Sequence, residues 1–169
     1  MTDHLDHVGR IQQQWRRERP DLDVTPQGLF GRLHRLADRL REELDVEFRR
    51  HGLGEGEFDV LAALRRSGVP YRLSPGQLVA QTMVTSGTMT NRIDRLTGRG
   101  LVRRLPDPAD GRGVMVQLED SGRRLADAAL ADLLEIERTV LSVIDAGEQD
   151  RLSGLLRELL TSLELPVSP

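Results

Sequence analysis

Apolar residues recur every three or four positions over most of the chain, a spacing that predicts a mainly helical protein. The longest apolar stripe lies between Leu29 and Phe48. It follows Thr25 and Pro26, which we interpret as an N-cap and the first helical residue, and it is expected to end at Gly52. A helix of this length with one regular apolar stripe usually packs against other helices along its length.

The same spacing predicts helices on both sides of this long one and at the C-terminus. An additional N-terminal helix is predicted over about residues 4–19, ending at Pro20. A second long helix is expected to begin at Asp120, and Asp145 is expected to cap the last helix of the chain. Long helices therefore flank a middle segment whose pattern is different.

The middle segment is predicted to contain two short helices separated by a three-residue break. Ser74, followed by Pro75, has the sequence of an N-cap, and the helix that it starts runs to about Thr82. Thr85 or Ser86 caps the second helix. This second helix carries three apolar residues on one face: Met89, Ile93 and Leu96.

Two short alternating runs follow these helices. Residues 101–105 and 114–118 flank a loop rich in Pro, Asp and Gly, a pattern that predicts a β-hairpin. Two short helices joined by a tight turn and followed by a hairpin describe a winged helix-turn-helix. The expected fold class is therefore α+β and mainly helical, with a winged helix-turn-helix core between long helices.

The charge distribution supports a role for this core. The 24 basic residues are all Arg, and against 27 acidic residues they leave a net charge of −3, whereas DNA-binding domains typically have a pI above about 9. Residues 85–112, however, hold six Arg against three Asp, a net charge of +3, and residues 113–169 carry a net charge of −6. The positive charge is concentrated on the second short helix and the hairpin.

The residue types in this basic segment suit contacts with duplex DNA. In a winged helix-turn-helix the second helix enters the major groove and the hairpin reaches the backbone or the minor groove. Short polar side chains are expected to reach DNA from the exposed face of that helix: Thr85, Ser86, Thr88 and Asn91. Basic side chains are expected to bind phosphates: Arg95, Arg99, Arg103 and Arg112.

Other kinds of chemistry find little support in the sequence. The absence of Cys excludes disulfides, thiolate zinc sites and cysteine nucleophiles. His4 and His7 have a spacing that can bind a metal ion but lack a third ligand, and no pair of carboxylates has the spacing of an acid/base site. We predict no enzymatic activity, no cofactor and no metal site. Because no segment resembles a signal peptide or a membrane-spanning helix, we expect a cytoplasmic protein with no membrane partner.

The stretch from Leu73 to Leu125 resembles the core of MarR-type transcription regulators. The most recognisable part is the hairpin pattern Asp107-Pro-x-Asp110-x-Arg112, followed by a strand and by Gly122. The resemblance implies a homodimer in which the N- and C-terminal helices intertwine. It also implies that two recognition helices read a pseudo-palindromic operator in double-stranded DNA.

The resemblance assigns a role to each part of the chain. It implies an additional helix and a long dimerisation helix in residues 1–52, the winged helix-turn-helix in residues 53–119, and C-terminal dimerisation helices in residues 120–169. The hairpin departs from the family pattern at one position. Many relatives carry two adjacent Arg at the tip, whereas here Gly111 precedes Arg112, so insertion into the minor groove falls to Arg112 alone.

A more specific resemblance involves the additional N-terminal helix. Trp15 with residues 18–23, the segment 56–61, and the pair Asn91 and Arg92 are similar to the urate-responsive PecS- and HucR-like subgroup. The resemblance implies that a Trp and an Arg hold an anionic purine, that an Asp is displaced, and that a hairpin Arg pairs with it. The corresponding residues here are Trp15, Arg92, Asp59 and Arg104.

Elementary physical chemistry agrees with this assignment. Arg92 lies among the apolar residues of its helix, and a buried guanidinium needs a carboxylate or an anion. Asp59 is a candidate carboxylate, and the flat ring of Trp15, the only Trp, suits an aromatic anion. Two simpler interpretations are a structural salt bridge between Arg92 and Asp59, and an Arg92 side chain that extends to solvent.

These observations together predict a ligand-responsive repressor that a small anionic ligand, such as urate or a related purine, releases from DNA. One alternative is a MarR-like repressor with a phenolic or drug-like effector. Another is a winged helix that serves as a protein-interaction module without binding DNA.

Overall fold

The structure is a computed structural model, and it describes residues 5–82, 84–108 and 113–164. Within these ranges the chain forms seven helices and three strands, and it divides into two compact units whose boundary lies between Phe58 and Asp59. In chain order the elements are α1 (His7–Glu18), α2 (Thr25–Arg50), α3 (Glu55–Arg66), β1 (Arg72–Leu73), α4 (Pro75–Thr82), α5 (Ser86–Gly98), β2 (Val102–Pro106), β3 (Val114–Leu118), α6 (Asp120–Leu141) and α7 (Ala146–Glu164). The predicted α+β, mainly helical fold is confirmed.

In the first unit, α1 packs on α2 through one close approach and one exposed ion pair. Gln12 is buried, and Gly28 leaves room for its amide because a side chain at position 28 would overlap it. Asp6 caps α1 by accepting a hydrogen bond of 2.7 Å from the Gly9 amide, and it also binds Arg32 on α2 at 2.8 Å. The Gly9 hydrogen bond, and then Arg32, lowers the pKa of Asp6 below its ordinary value.

The start of α2 corrects the prediction made from Thr25. The helix begins at Thr25 itself, and Val24 is the N-cap, with no side-chain hydrogen bond. The Thr25 amide instead donates to Asp23 Oδ1 at 2.9 Å. The Asp23 carboxylate thus satisfies the first amide of α2, and Thr25 lies inside the helix rather than at its N-cap position. Pro26 lies in the first turn as the second helical residue, one position later than predicted.

In the second unit, α4 and α5 form the predicted helix-turn-helix. Ser74 and Gln77 cap α4 reciprocally. The backbone amide of Gln77 donates to Ser74 Oγ at 3.2 Å, and the backbone amide of Ser74 donates to Gln77 Oε1 at 2.8 Å. Thr85, rather than Ser86, is the N-cap of α5. The apolar face of α5 is almost completely inaccessible, with exposures of 1%, 1% and 0% for Met89, Ile93 and Leu96.

The three strands form an antiparallel sheet in the order β1-β3-β2. We call β2, β3 and the loop between them the wing. Its register places Arg103 opposite Gln117 and Arg104 opposite Val116. The inner residues of the sheet, Val102 and Val116, are 2% and 0% exposed and belong to the core of this unit. Residues 109–112 lie outside the described residues, so the predictions for Gly111 and Arg112 fall there.

Two long helices follow the wing. α6 is joined to α3 by the ion pair between Arg65 Nε and Asp127 Oδ1, which are 2.8 Å apart, and this contact raises the pKa of Arg65. α7 begins after Asp145, which caps it by accepting from the Glu148 amide at 2.9 Å, as the sequence predicted. No helix in the described part of the chain is both long and apolar enough to cross a membrane.

Candidate nucleic-acid interface and ligand site

The outer face of α5 is polar and open to solvent. All four residues predicted to reach DNA from this helix are exposed: Thr85, Ser86, Thr88 and Asn91. Thr85 and Thr88 lie at the start of the helix with their hydroxyl oxygens 3.0 Å apart, so each orients the other. Because the opposite face is buried in the core, α5 presents these groups from a rigid support.

The arginines predicted to bind phosphates differ in their surroundings. Arg95 and Arg99 are exposed on α5 and just after it. Arg103, on β2, is held from two sides: its Nε lies 3.0 Å from Glu119 Oε1, and its Nη2 donates to Gln117 Oε1 at 2.9 Å. Arg103 is thus fixed against the sheet, and Glu119 offsets part of its charge.

Arg104 connects the wing to the recognition helix. Its Nη1 lies 2.6 Å from Asp94 Oδ1, which joins β2 to α5, and the two side chains are 40% and 53% exposed. The sequence-based assignment considered Asp59 as the acidic partner of Arg104 in a ligand response and did not identify Asp94. No local spacing indicates this pair, because its members belong to a helix and a strand that meet only in the folded unit.

Arg92 is the least satisfied cation of the predicted ligand site. Its side chain is half-buried between the apolar residues of α5, and its Nη1 is inaccessible to solvent and has no hydrogen-bond partner. Asp59, on α3, is also half-buried and has a partner of its own. The salt bridge between Arg92 and Asp59 therefore stays an interpretation, and the feature that sets Arg92 apart is its unpartnered Nη1.

Trp15 belongs to the first unit and is 46% exposed. It lines a cleft of about 330 Å³ together with Leu22, Asp23 and Gln27. A hydrogen bond from the Thr25 side chain, and then one from the Thr25 amide, lowers the pKa of Asp23 below its ordinary value. Because the Asp23 carboxylate stays ionised, this cleft does not favour an anion by itself. An anionic ligand beside Trp15 would also need an arginine to balance its charge.

α5 buries its apolar face and exposes its polar face. It follows α4 after a short turn, and it precedes a wing that carries arginines. This arrangement defines a winged helix-turn-helix DNA-binding protein. The sequence pattern of the MarR family matches residues 51–113. Together with the relatives described next, this match shows that the chain belongs to the MarR family of transcriptional regulators, which are DNA-binding proteins and not enzymes.

Two relatives match nearly the whole chain. The HTH-type transcriptional regulator PecS of Dickeya dadantii is 43% identical over 149 residues, which cover 88% of this chain and 90% of PecS. The HTH-type transcriptional repressor NicR of Pseudomonas putida is 35% identical over 147 residues, covering 85% and 91%. The crystal structure of a MarR mutant from E. coli complexed with operator DNA has a TM-score of 0.68 and 26% identity, and covers 81% of this chain and 95% of that one.

The contact between Arg104 and Asp94 leads to a first prediction. Asp94→Asn removes the charge that fixes Arg104, and because exposed ion pairs contribute at most about 1 kcal/mol, we expect DNA affinity to change by no more than about fivefold. The affinities of Asp94→Asn, Arg104→Gln and the double variant, measured by fluorescence anisotropy, form a double-mutant cycle. A coupling energy between the two substitutions is expected; strictly additive effects would contradict a functional pair.

Proposed function

We propose that this chain is a homodimeric repressor that binds a pseudo-palindromic operator and that a small anionic aromatic ligand, urate or a related purine, releases from DNA. The observation that carries the ligand response is the buried, unpartnered Nη1 of Arg92 on the recognition helix itself. A buried donor of a charged group is costly without a partner, and an anion is the partner that offsets this cost.

The ligand response follows from the place of Arg92 in the helix. An anion bound there would pull on α5, whose opposite face carries the groups directed at DNA. A ligand-induced shift of Asp59 would alter the charges around Arg104, which the ion pair with Asp94 holds at the base of the wing. In a dimer, such shifts move the two recognition helices away from the spacing of about 34 Å that separates successive major grooves.

The required energies are small. A coupling free energy of about 1–3 kcal/mol between ligand and operator changes the affinity for DNA by about 5- to 150-fold. One charge-assisted hydrogen bond that forms in only one of two conformations is sufficient for a coupling of this size.

Exposed apolar side chains support the dimer. In the first unit, α2 exposes Leu29 and Leu36, each to 52%. In the second unit, the end of α6 and the length of α7 expose a series of large apolar residues: Val140, Leu141, Val143, Leu152, Leu155, Leu159, Leu160 and Leu163. So many exposed large apolar side chains on a few helices are typical of an interaction site, and the long terminal helices are where a second copy is expected to pack.

The experiment that tests the proposed function is an anisotropy titration of the protein against the intergenic DNA upstream of its gene, with and without urate. We expect tight binding without ligand, two chains per operator, and a loss of affinity as urate is added. Xanthine and salicylate, tested in parallel, separate a purine effector from a phenolic one. Unchanged DNA affinity at saturating urate, with no urate-induced rise in thermal stability, would exclude urate as the effector.

A further inference from the structure

A second unsatisfied arginine lies away from the predicted ligand site. An open cleft of about 570 Å³ lies between the first turn of α4 and the wing in the second unit. Arg72 on β1 lines it, together with Ser74 and Gln77 on the helix side and Asp107 and Met115 on the wing side. The sequence-based assignment gave none of these residues a function.

Arg72 makes one long hydrogen bond and has no carboxylate partner in the described part of the chain. Its Nη2 donates to Gln117 Oε1 at 3.2 Å, but the same oxygen accepts from Arg103 at 2.9 Å. Arg103 has Glu119 as a counter-charge, whereas among the described residues no carboxylate pairs with Arg72. The Nε of Arg72 is inaccessible to solvent and has no hydrogen-bond partner.

On the helix side of the cleft, Ser74 and Gln77 add donors rather than acceptors. In the reciprocal cap of α4, Gln77 uses its amide oxygen and Ser74 its hydroxyl oxygen as acceptors. The Gln77 amide N–H groups and the Ser74 hydroxyl hydrogen are therefore left to donate into the cleft. A guanidinium flanked by two neutral donors is a suitable arrangement for an oxyanion, and the planar guanidinium fork matches phosphate in particular.

We propose that this cleft is an oxyanion site in which Arg72 binds a backbone phosphate of the operator, assisted by Ser74 and Gln77. The proposal depends on DNA binding by this family. In a helix-turn-helix the first helix crosses the DNA backbone, and the wing reaches the adjacent groove. The DNA backbone that separates the major groove from the minor groove is therefore expected to pass the space between α4 and the wing. Asp107, which has a partner of its own, disfavours a second anion, so the cleft takes one phosphate.

The test is the salt dependence of DNA binding by the full-length protein. Each neutralised phosphate contributes about −0.9 to the slope of log affinity against log salt, so Arg72→Gln is expected to flatten the slope by about 0.9 for each bound protomer. At fixed salt we expect a loss of about tenfold in affinity, equal for the operator and for an unrelated duplex. Arg66→Gln, which removes an exposed charge from α3 outside the groups assigned to DNA and to the dimer, is the matched control and should leave the slope unchanged.

A second variant tests the cleft without removing Arg72. Gln77→Glu keeps the reciprocal cap, because Glu and Gln serve equally well at this position, and it places a carboxylate beside the guanidinium. We expect the melting temperature to stay at the wild-type value and the DNA affinity to fall as it does in Arg72→Gln. This pairing separates a lost phosphate contact from a lost fold.

Two outcomes would overturn the proposal. One is a wild-type salt slope in both folded variants. The other is binding of a free anion only. In that case inorganic phosphate raises the melting temperature of the wild type but not of Arg72→Gln, while the salt slope of DNA affinity is the same in both proteins. Either result leaves the urate response untouched, since that response is measured as a ratio of affinities with and without ligand. Failure of the wild type to respond to urate would leave the salt slopes interpretable.

Discussion

Replacing Gly122 with Ala is expected to destabilise the protein by about 3 kcal/mol, at the upper end of the usual cost of overpacking. Gly122 is buried in the first turn of α6, where a Cβ would overlap the carbonyl oxygen of Leu101 and lie 2.9 Å from Leu118 Cδ1. The Leu101 carbonyl cannot move away freely, because it accepts a hydrogen bond of 3.0 Å from the Glu119 amide. Ser121 Oγ also donates to the Gly100 carbonyl at 2.7 Å.

These contacts join the chain segment before the wing to the segment after it, so the substitution should also reduce DNA binding. Urea denaturation measures the free energy of unfolding. The control is Gly87→Ala in the first turn of α5, where the added Cβ would meet nothing within 4 Å beyond its own helix backbone and chain neighbours. There the higher helix propensity of Ala is expected to leave the protein as stable as the wild type or up to about 1 kcal/mol more stable. Equal denaturation midpoints for Gly122→Ala and the wild type would refute the packing argument.

The elements that the sequence predicted well are those with local causes. The 3.6-residue period placed Met89, Ile93 and Leu96 on one face, and the core buries that face. The N-cap at Asp145 could be predicted for the same reason, because an N-cap side chain lies close to the backbone amide three residues later at the start of a helix. At Thr25 the same reasoning was wrong by one residue, because it considered the hydroxyl and not the Asp23 carboxylate.

The contacts that the sequence did not predict are those made across elements. Arg104 and Asp94 meet only because β2 packs beside α5, and no spacing rule relates a strand residue to a helix residue. Arg72 shares the Gln117 oxygen with Arg103 because the strand order is β1-β3-β2, which places β3 between the other two strands. The residues were visible in the sequence, but their partners depended on the topology.

The arginines of the second unit therefore cannot be treated as one class. All are Arg because the chain contains no Lys, so residue type alone does not separate a structural cation from a binding one. Arg65 and Arg104 are paired with carboxylates, Arg95 is exposed, and Arg72 and Arg92 each keep a buried nitrogen without a partner. Because unpaired buried donors are rare in folded proteins, the last two are the strongest candidates for binding an anion.

Replacing Arg92 with Met is expected to abolish the response to urate while preserving most of the affinity for DNA. Met has a similar length, suits the apolar surroundings on α5 and removes the unsatisfied Nη1, so the unliganded variant should be at least as stable as the wild type. In the wild type we expect urate to lower DNA affinity by about 5- to 150-fold. In Arg92→Met the ratio of affinities with and without urate should fall to about one, and urate should no longer raise the melting temperature.

Arg95→Met is the matched control for this experiment, because Arg95 is exposed on the same helix and is predicted to bind phosphate rather than ligand. It should lose DNA affinity and flatten the salt slope by about 0.9 for each bound protomer, yet keep the full ratio of affinities with and without urate. The two variants thus separate recognition of DNA from recognition of the ligand on a single helix. If Arg92→Met were less stable than the wild type and still responded to urate, Arg92 would be a structural residue and the ligand site would lie elsewhere.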